Sequence, residues 1–364
     1  MASRILTLEK VDGKPGQVYY PLKCTTVDPP KPGPGQIVVH MLAVALNHRD
    51  LFIRKHLYPA ISFSTPLLSD GCGTVTELGP DCQKPSLLGK RVILAPSVHW
   101  TSSPDGPEDP SKFSVVGASK LTPLGTAADF VVVDEADVEI APEHLSPVEC
   151  AAIPVVGLTA WRALVTKSGN AQAGRNILVT GIGGGVALTA LQFGTAMGCN
   201  VYVTSSSAEK LEKAKKMGAA GGVSYKSETW VQELQVLLPK NRPYIDAIID
   251  GAGGNIVGVG TKLMKAGGVV VCYGMTQSPK MDWLMQAVLK NIELKGSTMG
   301  SRKEYADMMG FIRDRKITPV ISRVVKGLDN IEAIDGLFKD INNGVQFGKL
   351  VIEIDTPEEP SSRL

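Results

Sequence analysis

What this chain lacks narrows its function first. No Cys-x-x-Cys pair occurs, and no cysteine lies between Cys82 and Cys150. The other cysteines, Cys24, Cys72, Cys199 and Cys272, are equally scattered. That spacing excludes a cysteine-rich zinc lobe and argues against a disulfide framework. No apolar run approaches the roughly 18 residues needed to cross a bilayer. An excess of one charge is missing too, since 38 Lys and Arg face 36 Asp and Glu for a net charge of +2. Neither nucleic acid nor a membrane surface is therefore an expected partner. The opening MASRILTLEK has no apolar core of the kind a signal peptide carries, so secretion is not expected.

What is present points to two domains. A chain of 364 residues exceeds the usual size of one hydrophobic core. Asp28-Pro29-Pro30-Lys31-Pro32-Gly33-Pro34-Gly35 is a stiff, turn-rich connector. It leads into a β-branched, apolar run from Gln36 to Leu46, a strand pattern repeated at Arg91 to Ala95. The stretch from Pro96 to Thr126 has no clear periodicity and is too long for a passive connection, so it is expected to lie over a functional cleft. From Asn176 the pattern becomes strands alternating with helices. Ile177 to Thr180, Val201 to Thr204, Ala247 to Asp250 and Val269 to Tyr273 read as short buried strands. Such strands imply a parallel sheet covered on both faces. After Lys295 the alternation fades, and Phe347 to Ile354 reads as a last strand that rejoins the first domain. The predicted fold is α/β, a doubly wound dinucleotide-binding domain over 155–295 inserted into a β-rich domain of 1–154 and 296–364.

Thr180-Gly181-Ile182-Gly183-Gly184-Gly185-Val186-Ala187 stands between a predicted strand and a predicted helix. Small residues there let the backbone approach a pyrophosphate, and the helix N-terminus offers unpaired N–H groups. A flexible turn would show the same glycines, but the strand-turn-helix setting favours a dinucleotide. The next strand ends in Thr204-Ser205-Ser206-Ser207, followed by Lys210, where an NAD site usually has a carboxylate for the ribose. Hydroxyls and a lysine suit a 2′-phosphate, so NADPH is the expected cofactor; a serine cap on a solvated helix is the alternative.

These segments together resemble the medium-chain dehydrogenase/reductase superfamily, and within it the zinc-free quinone oxidoreductase and enoyl reductase branch. The resemblance rests on Ala45-Leu46-Asn47-His48-Arg49-Asp50, Ser69-Asp70-Gly71-Cys72-Gly73-Thr74-Val75 and Ile153-Pro154-Val155-Val156-Gly157-Leu158-Thr159-Ala160. The glycine cluster, Tyr273-Gly274-Met275-Thr276 and Phe347-Gly348-Lys349-Leu350-Val351 add to it. It implies a Rossmann-type domain inserted into a GroES-like substrate domain, and a homodimer. It further implies cofactor contacts from Thr159, Gly183, Gly184, Gly185, Val186, Ser205, Ser206, Lys210, Tyr225, Gly274, Met275 and Lys349. Lys349 could instead sit in a surface salt bridge. The zinc-ligand positions of the metal members fall on Asn47, Ser69 and Val155, which cannot supply the N/S/O set zinc requires. No metal is expected.

Without a metal, the protein must stabilise the charge that hydride addition leaves on an acceptor oxygen and then supply a proton. Asn47 and Tyr58 are the candidate catalytic residues. Enoyl-thioester reductases of the superfamily carry a tyrosine eleven residues after such an asparagine, and Asn47 and Tyr58-Pro59 keep that spacing. Tyr58 could equally pack in a turn, Asn47 could cap the strand end, and Arg49 could pair with Asp50 or meet an anionic substrate. The expected reaction is NADPH-dependent reduction of an enone, enoyl thioester or quinone. Metal-free carbonyl/alcohol interconversion and a cofactor-binding interaction protein are the alternatives. The terminal Ser362-Arg363-Leu364 resembles a peroxisomal address, against a cytoplasmic location with a chance tail.

Overall fold

The computed structural model describes residues 2–278 and 280–354, so the Ser362-Arg363-Leu364 expectation lies outside the described residues. The chain folds as two units, one built from the segment up to Val155 and again from Ser301 onward, the other from Val156 to Gly300.

The first unit is organised by the strand Gln36–Ala45, whose side chains are buried along nearly its whole length. Asp70–Leu78 and Phe130–Asp134 pair with it antiparallel on one side and the other. The closing strand Lys349–Glu353 also joins it antiparallel, with Val351 opposite Ala45. The last strand thus does return to the first unit. Arg91–Leu94 and Val138–Ile140 extend the sheet past Asp70–Leu78, and Ile321–Lys326 extends it past Lys349–Glu353. Leu6, Ile37, Val39, Met41, Leu51, Ile53 and Phe338 belong to one continuous core.

The two longest helices of this unit, Arg302–Arg315 and Ile331–Asn343, were not anticipated from the sequence. The first is announced only by its cap: the Ser301 hydroxyl accepts the Glu304 N–H, and the Glu304 carboxylate accepts the Ser301 N–H. The stretch from Pro96 to Thr126 holds little regular structure beyond Ser97–Val98 paired with Ser114–Val115. It is nonetheless fastened down. Ala118 N–H donates to Pro66 at 2.8 Å, and Thr126 N–H donates to Leu68 at 3.0 Å.

The short helix His48–Arg54 is pinned at its end by a buried arginine. Arg54 donates to the Tyr20 carbonyl at 2.9 Å and to Asp335 at 2.6 Å. Its guanidinium also lies 4.1 Å from the Tyr19 ring centre and 4.5 Å from that of Phe338. Cys72 is fully buried, and burial together with neighbouring Cys150 pushes its thiol pKa up, as befits a packing residue.

The second unit is a six-stranded parallel sheet. In spatial order the strands are Gly221–Ser224, Asn200–Ser205, Asn176–Val179, Ile245–Asp250, Met264–Cys272 and Glu293–Gly296. The order reverses between the third and fourth of these. In a doubly wound sheet, ligands bind beyond the carboxyl ends of the strands at such a reversal. At the opposite end, buried Asp246 accepts the Asn176 N–H at 2.8 Å and ion-pairs with Arg242 at 2.6 Å and Arg175 at 3.1 Å. Burial alone would raise its pKa, but these partners hold it at about 2. Those two strands are thereby tied at the end remote from the glycine turn. Among the described residues no helix is long and apolar enough to cross a membrane.

Candidate functional site

In the second unit, the glycine turn is assembled by the ends of three strands. Gly181 N–H donates to the Thr204 hydroxyl at 3.2 Å, and Ile182 N–H donates to the Thr204 carbonyl at 2.8 Å. The Thr180 hydroxyl donates to Asp250 at 2.6 Å, and Gly253 N–H reaches the other oxygen at 2.8 Å. Asp250 is buried, which raises its pKa against those hydrogen bonds. It is a site residue that the sequence reading passed over, although an acid ending a buried strand was visible.

Gly183 has φ +125°, a conformation that side chains rarely adopt. A Cβ there would meet Lys210 at Cδ, 2.9 Å, and Nζ, 3.2 Å. The Lys210 side chain therefore lies across the turn, and burial lowers its pKa. The helix Gly185–Ala196 begins at Gly184 with no side chain capping it. Its first amides are the kind that hold a phosphate. Ala187, in the third glycine's place, is 1% exposed, so a methyl group fits the close packing there.

The serine run divides. Ser205 is buried and its hydroxyl accepts the Ser207 N–H, while Ser207 caps the next helix by accepting the Lys210 N–H. Only Ser206 is exposed. The capping alternative thus describes Ser207, and Ser205 turns to its own backbone. Tyr225, exposed, follows the neighbouring strand, and its N–H donates to the Ser205 carbonyl at 3.1 Å. Glu209 is ion-paired with Lys213 at 2.6 Å. The Gly274 and Met275 segment runs beside the Asp250 strand end, with Tyr273 N–H donating to Asp250 at 2.9 Å. Thr159 is buried on the helix Pro154–Trp161. This set of groups fits a dinucleotide: open space at Gly181 and Gly184, an uncapped helix N-terminus, and Ser206, Lys210 and Tyr225 at adjoining strand ends.

In the first unit, Ala45 lies opposite both Val351 and Asp70. That register brings Asn47, Asp70 and Lys349 together at one end of the sheet. The Lys349 ammonium donates to the Leu46 carbonyl at 2.6 Å, the Asn47 amide oxygen at 2.7 Å and Asp70 at 2.8 Å. Asn47 Nδ2 donates to the same Asp70 oxygen at 2.8 Å, and Val155 N–H donates to the other oxygen at 2.8 Å. This corrects the reading of Lys349 as a cofactor contact or surface ion pair. It is 4% exposed, and an ammonium has three N–H groups, all of them engaged here.

Asp50 orders the loop, as its carboxylate accepts the Asn47 backbone N–H at 2.8 Å. Burial raises its pKa to about 6 against the opposing pull of Arg49 and that N–H. Arg49 pairs with Asp50, one of its two expected partners, at 3.6 Å. It donates to the Gly117 carbonyl at 2.6 Å and the Ser69 hydroxyl at 3.3 Å, and its guanidinium lies 4.8 Å from the centre of the Tyr58 ring. The Pro96–Thr126 stretch thus reaches the cluster through Gly117. Tyr58 is half-buried, and its hydroxyl has no hydrogen-bond partner among the described residues.

Zinc does not fit these side chains. The Asn47 amide is held by Lys349 and Asp70, the Ser69 hydroxyl donates to the Val116 carbonyl at 2.5 Å, and Val155 contributes only a backbone N–H. Among the described residues no group of three or more His, Cys, Asp or Glu could hold a metal ion. A separate cavity of about 460 Å³ beside His99, Trp100, Asp137 and Arg302 includes none of the candidate residues.

Comparison with known proteins matches both units. A family model described as an alcohol dehydrogenase GroES-like domain covers residues 33–143, and one described as a zinc-binding dehydrogenase covers residues 185–314. The chain is 59% identical to the "Zinc-type alcohol dehydrogenase-like protein YogA" of Leptosphaeria maculans, over 96% of this chain and 99% of that one. A solved NAD-dependent alcohol dehydrogenase superposes with a TM-score of 0.82 at 27% identity, covering 97% of this chain and 100% of its own. The crotonyl-CoA carboxylase/reductase AntE, solved with NADP, superposes with a TM-score of 0.83 over 98% of this chain and 95% of its own. At 21% identity that likeness shows the fold alone. An enzyme described as NAD-dependent and one solved with NADP share this fold, so the choice between the cofactors rests on individual side chains.

Proposed function

The chain belongs to the medium-chain dehydrogenase/reductase superfamily of oxidoreductases, and within it we propose an NADPH-dependent, zinc-independent reductase of an activated carbon–carbon double bond or a quinone. The observation that carries this reading is the Lys349–Asn47–Asp70 cluster, in which Asn47, at one of the positions that the resemblance matches to a zinc ligand, is hydrogen-bonded to an ammonium and a carboxylate. Ser206, Lys210 and Tyr225 support NADPH over NADH, with no acid at the strand end to repel a 2′-phosphate. The glycine turn and the first amides of Gly185–Ala196 would hold the pyrophosphate.

Reduction needs a hydride, which NADPH supplies when bound, and a proton. Addition at the β-carbon of an enone or enoyl thioester shifts the π electrons to the carbonyl oxygen, and a donor aimed there lowers the barrier. Asn47 Nδ2 has two N–H groups and gives one to Asp70, so the second serves as that donor. The Tyr58 hydroxyl supplies the proton to the α-carbon, or to an oxygen of a quinone.

The test uses protein purified without added metal and dialysed against a chelator. Zinc is measured, and NADPH oxidation is followed with crotonaldehyde, crotonyl-CoA and an ortho-quinone. Substoichiometric zinc with undiminished turnover is expected. Zinc retained stoichiometrically and required for activity overturns the metal-free reading. Crotyl alcohol from crotonaldehyde, in place of butanal, would assign carbonyl chemistry instead. NADPH binding without turnover of any probe would leave a cofactor-binding protein.

The same reading includes a homodimer. Glu293–Gly296 is an edge strand of the six-stranded sheet, and Trp283, Met285, Val288, Leu289 and Leu294 nearby are all more than 40% exposed. An unprotected edge with apolar neighbours favours pairing with a second copy. Light scattering should return twice the 38.7 kDa chain mass, and Leu289→Lys with Leu294→Lys should return the monomer. A monomeric wild type would reject the dimer.

A further inference from the structure

The geometry points to Lys349 as a resident cation that does the positioning work a metal does in relatives, holding Asn47 so that one amide N–H faces the acceptor. This inference rests on the proposed donor role of Asn47 and deepens it. Lys349 lies 302 residues from Asn47 along the chain, yet its ammonium is 2.7 Å from the amide oxygen. An ammonium can only donate, so the amide atom facing it must be oxygen, and the orientation of the Asn47 side chain follows. Nδ2 is then turned to Asp70 at 2.8 Å, with its second N–H left over. The Asp70 carboxylate balances the ammonium at 2.8 Å and is itself steadied by Val155 N–H.

The arrangement also accounts for the poor fit to zinc. Leu46 O, Asn47 Oδ1 and Asp70 Oδ2 form an oxygen set around one positive centre, and that centre is Nζ. A divalent ion in the same place would face an ammonium that is already compensated. Lys349 touches no acceptor in this scheme. It is a positioning residue.

The experiment uses the full chain with NADPH and crotonaldehyde, or whichever of the three acceptors turns over fastest. Lys349→Met keeps an unbranched side chain one atom shorter and removes the charge. It should lower kcat roughly tenfold or more, because small misplacements of a reacting group are costly, and leave the KM for NADPH within about twofold. Lys349→Met alone strands the buried Asp70 charge. A paired variant, Lys349→Met with Asp70→Asn, removes both charges and should melt near wild type with the same loss of kcat. Lys349→Arg should not restore activity, since a planar fork cannot aim three N–H groups from one nitrogen. Wild-type kcat in the folded paired variant or in Lys349→Arg overturns the inference. So does a loss confined to the KM for NADPH. Asn47→Ala separates the two ideas: unchanged kcat there defeats the donor reading of Asn47, whereas reduced kcat beside an unaffected paired variant defeats only the role of Lys349.

Discussion

Tyr58→Phe is expected to lower kcat for enone or enoyl-thioester reduction by roughly 10²–10⁴-fold, the usual contribution of a placed proton donor. The substitution is unusually clean at this position. The ring stacks under the Arg49 guanidinium at 4.8 Å and packs against the first unit's core, and phenylalanine keeps both contacts. The hydroxyl gives up no hydrogen bond to the described residues, so its removal leaves no partner stranded. A loss of rate therefore reports on chemistry rather than on folding. NADPH affinity should be unchanged, which fluorescence titration checks directly. Quinone reduction should survive better than alkene reduction, because water can protonate a quinol oxygen but not readily an α-carbon. A near-normal alkene rate in Tyr58→Phe would return Tyr58 to a packing role.

NADPH is expected to bind at least roughly tenfold more tightly than NADH, from one or two charge-assisted hydrogen bonds of about 1.5–3 kcal/mol each to the 2′-phosphate. Lys210 is expected to be the main determinant. Its side chain lies across Gly183, and burial depresses its pKa, a penalty that a neighbouring phosphate would relieve. Ser206 is the exposed hydroxyl of its run, and Tyr225 follows the adjoining strand, where Ser224 pairs with Ser205. Lys210→Ala should weaken NADPH binding by roughly tenfold or more and leave NADH nearly untouched. Tyr225→Phe should act in the same direction and more weakly. Calorimetric titration of both cofactors measures the ratio. Equal dissociation constants in wild type, or a ratio that neither variant moves, would reject the assignment.

Features that depend on neighbours in the chain were legible in the sequence by itself. The buried strands at 176–179, 200–205 and 245–250 announce themselves by short apolar runs, and the glycine turn by standing between a strand and a helix. The side-chain types behind the expectation of no zinc were also legible, since an amide, a hydroxyl and an isopropyl group are poor ligands in any fold. Shorter signals failed. Gly221–Ser224 carries two glycines and is a strand only because Asn200–Ser205 pairs with it. The helix Arg302–Arg315 carries too many charges for its buried face, Tyr305, Met308, Met309 and Ile312, to stand out by eye.

The tertiary structure alone decided what the polar side chains do. Lys349 read as a cofactor contact or a surface charge, and sheet register turned it inward onto Asn47 and Asp70. Arg49 read as a partner of Asp50 or of an anionic substrate, and it lies 3.6 Å from Asp50 while the loop carbonyl of Gly117 takes another of its N–H groups. Ser205 and Ser206 are neighbours of identical type, and the end of a strand buries one and exposes the other. Apolar periodicity is a local consequence of backbone geometry, so it can be read along the chain. A hydrogen bond between residues 302 positions apart exists only once two strands have chosen their register.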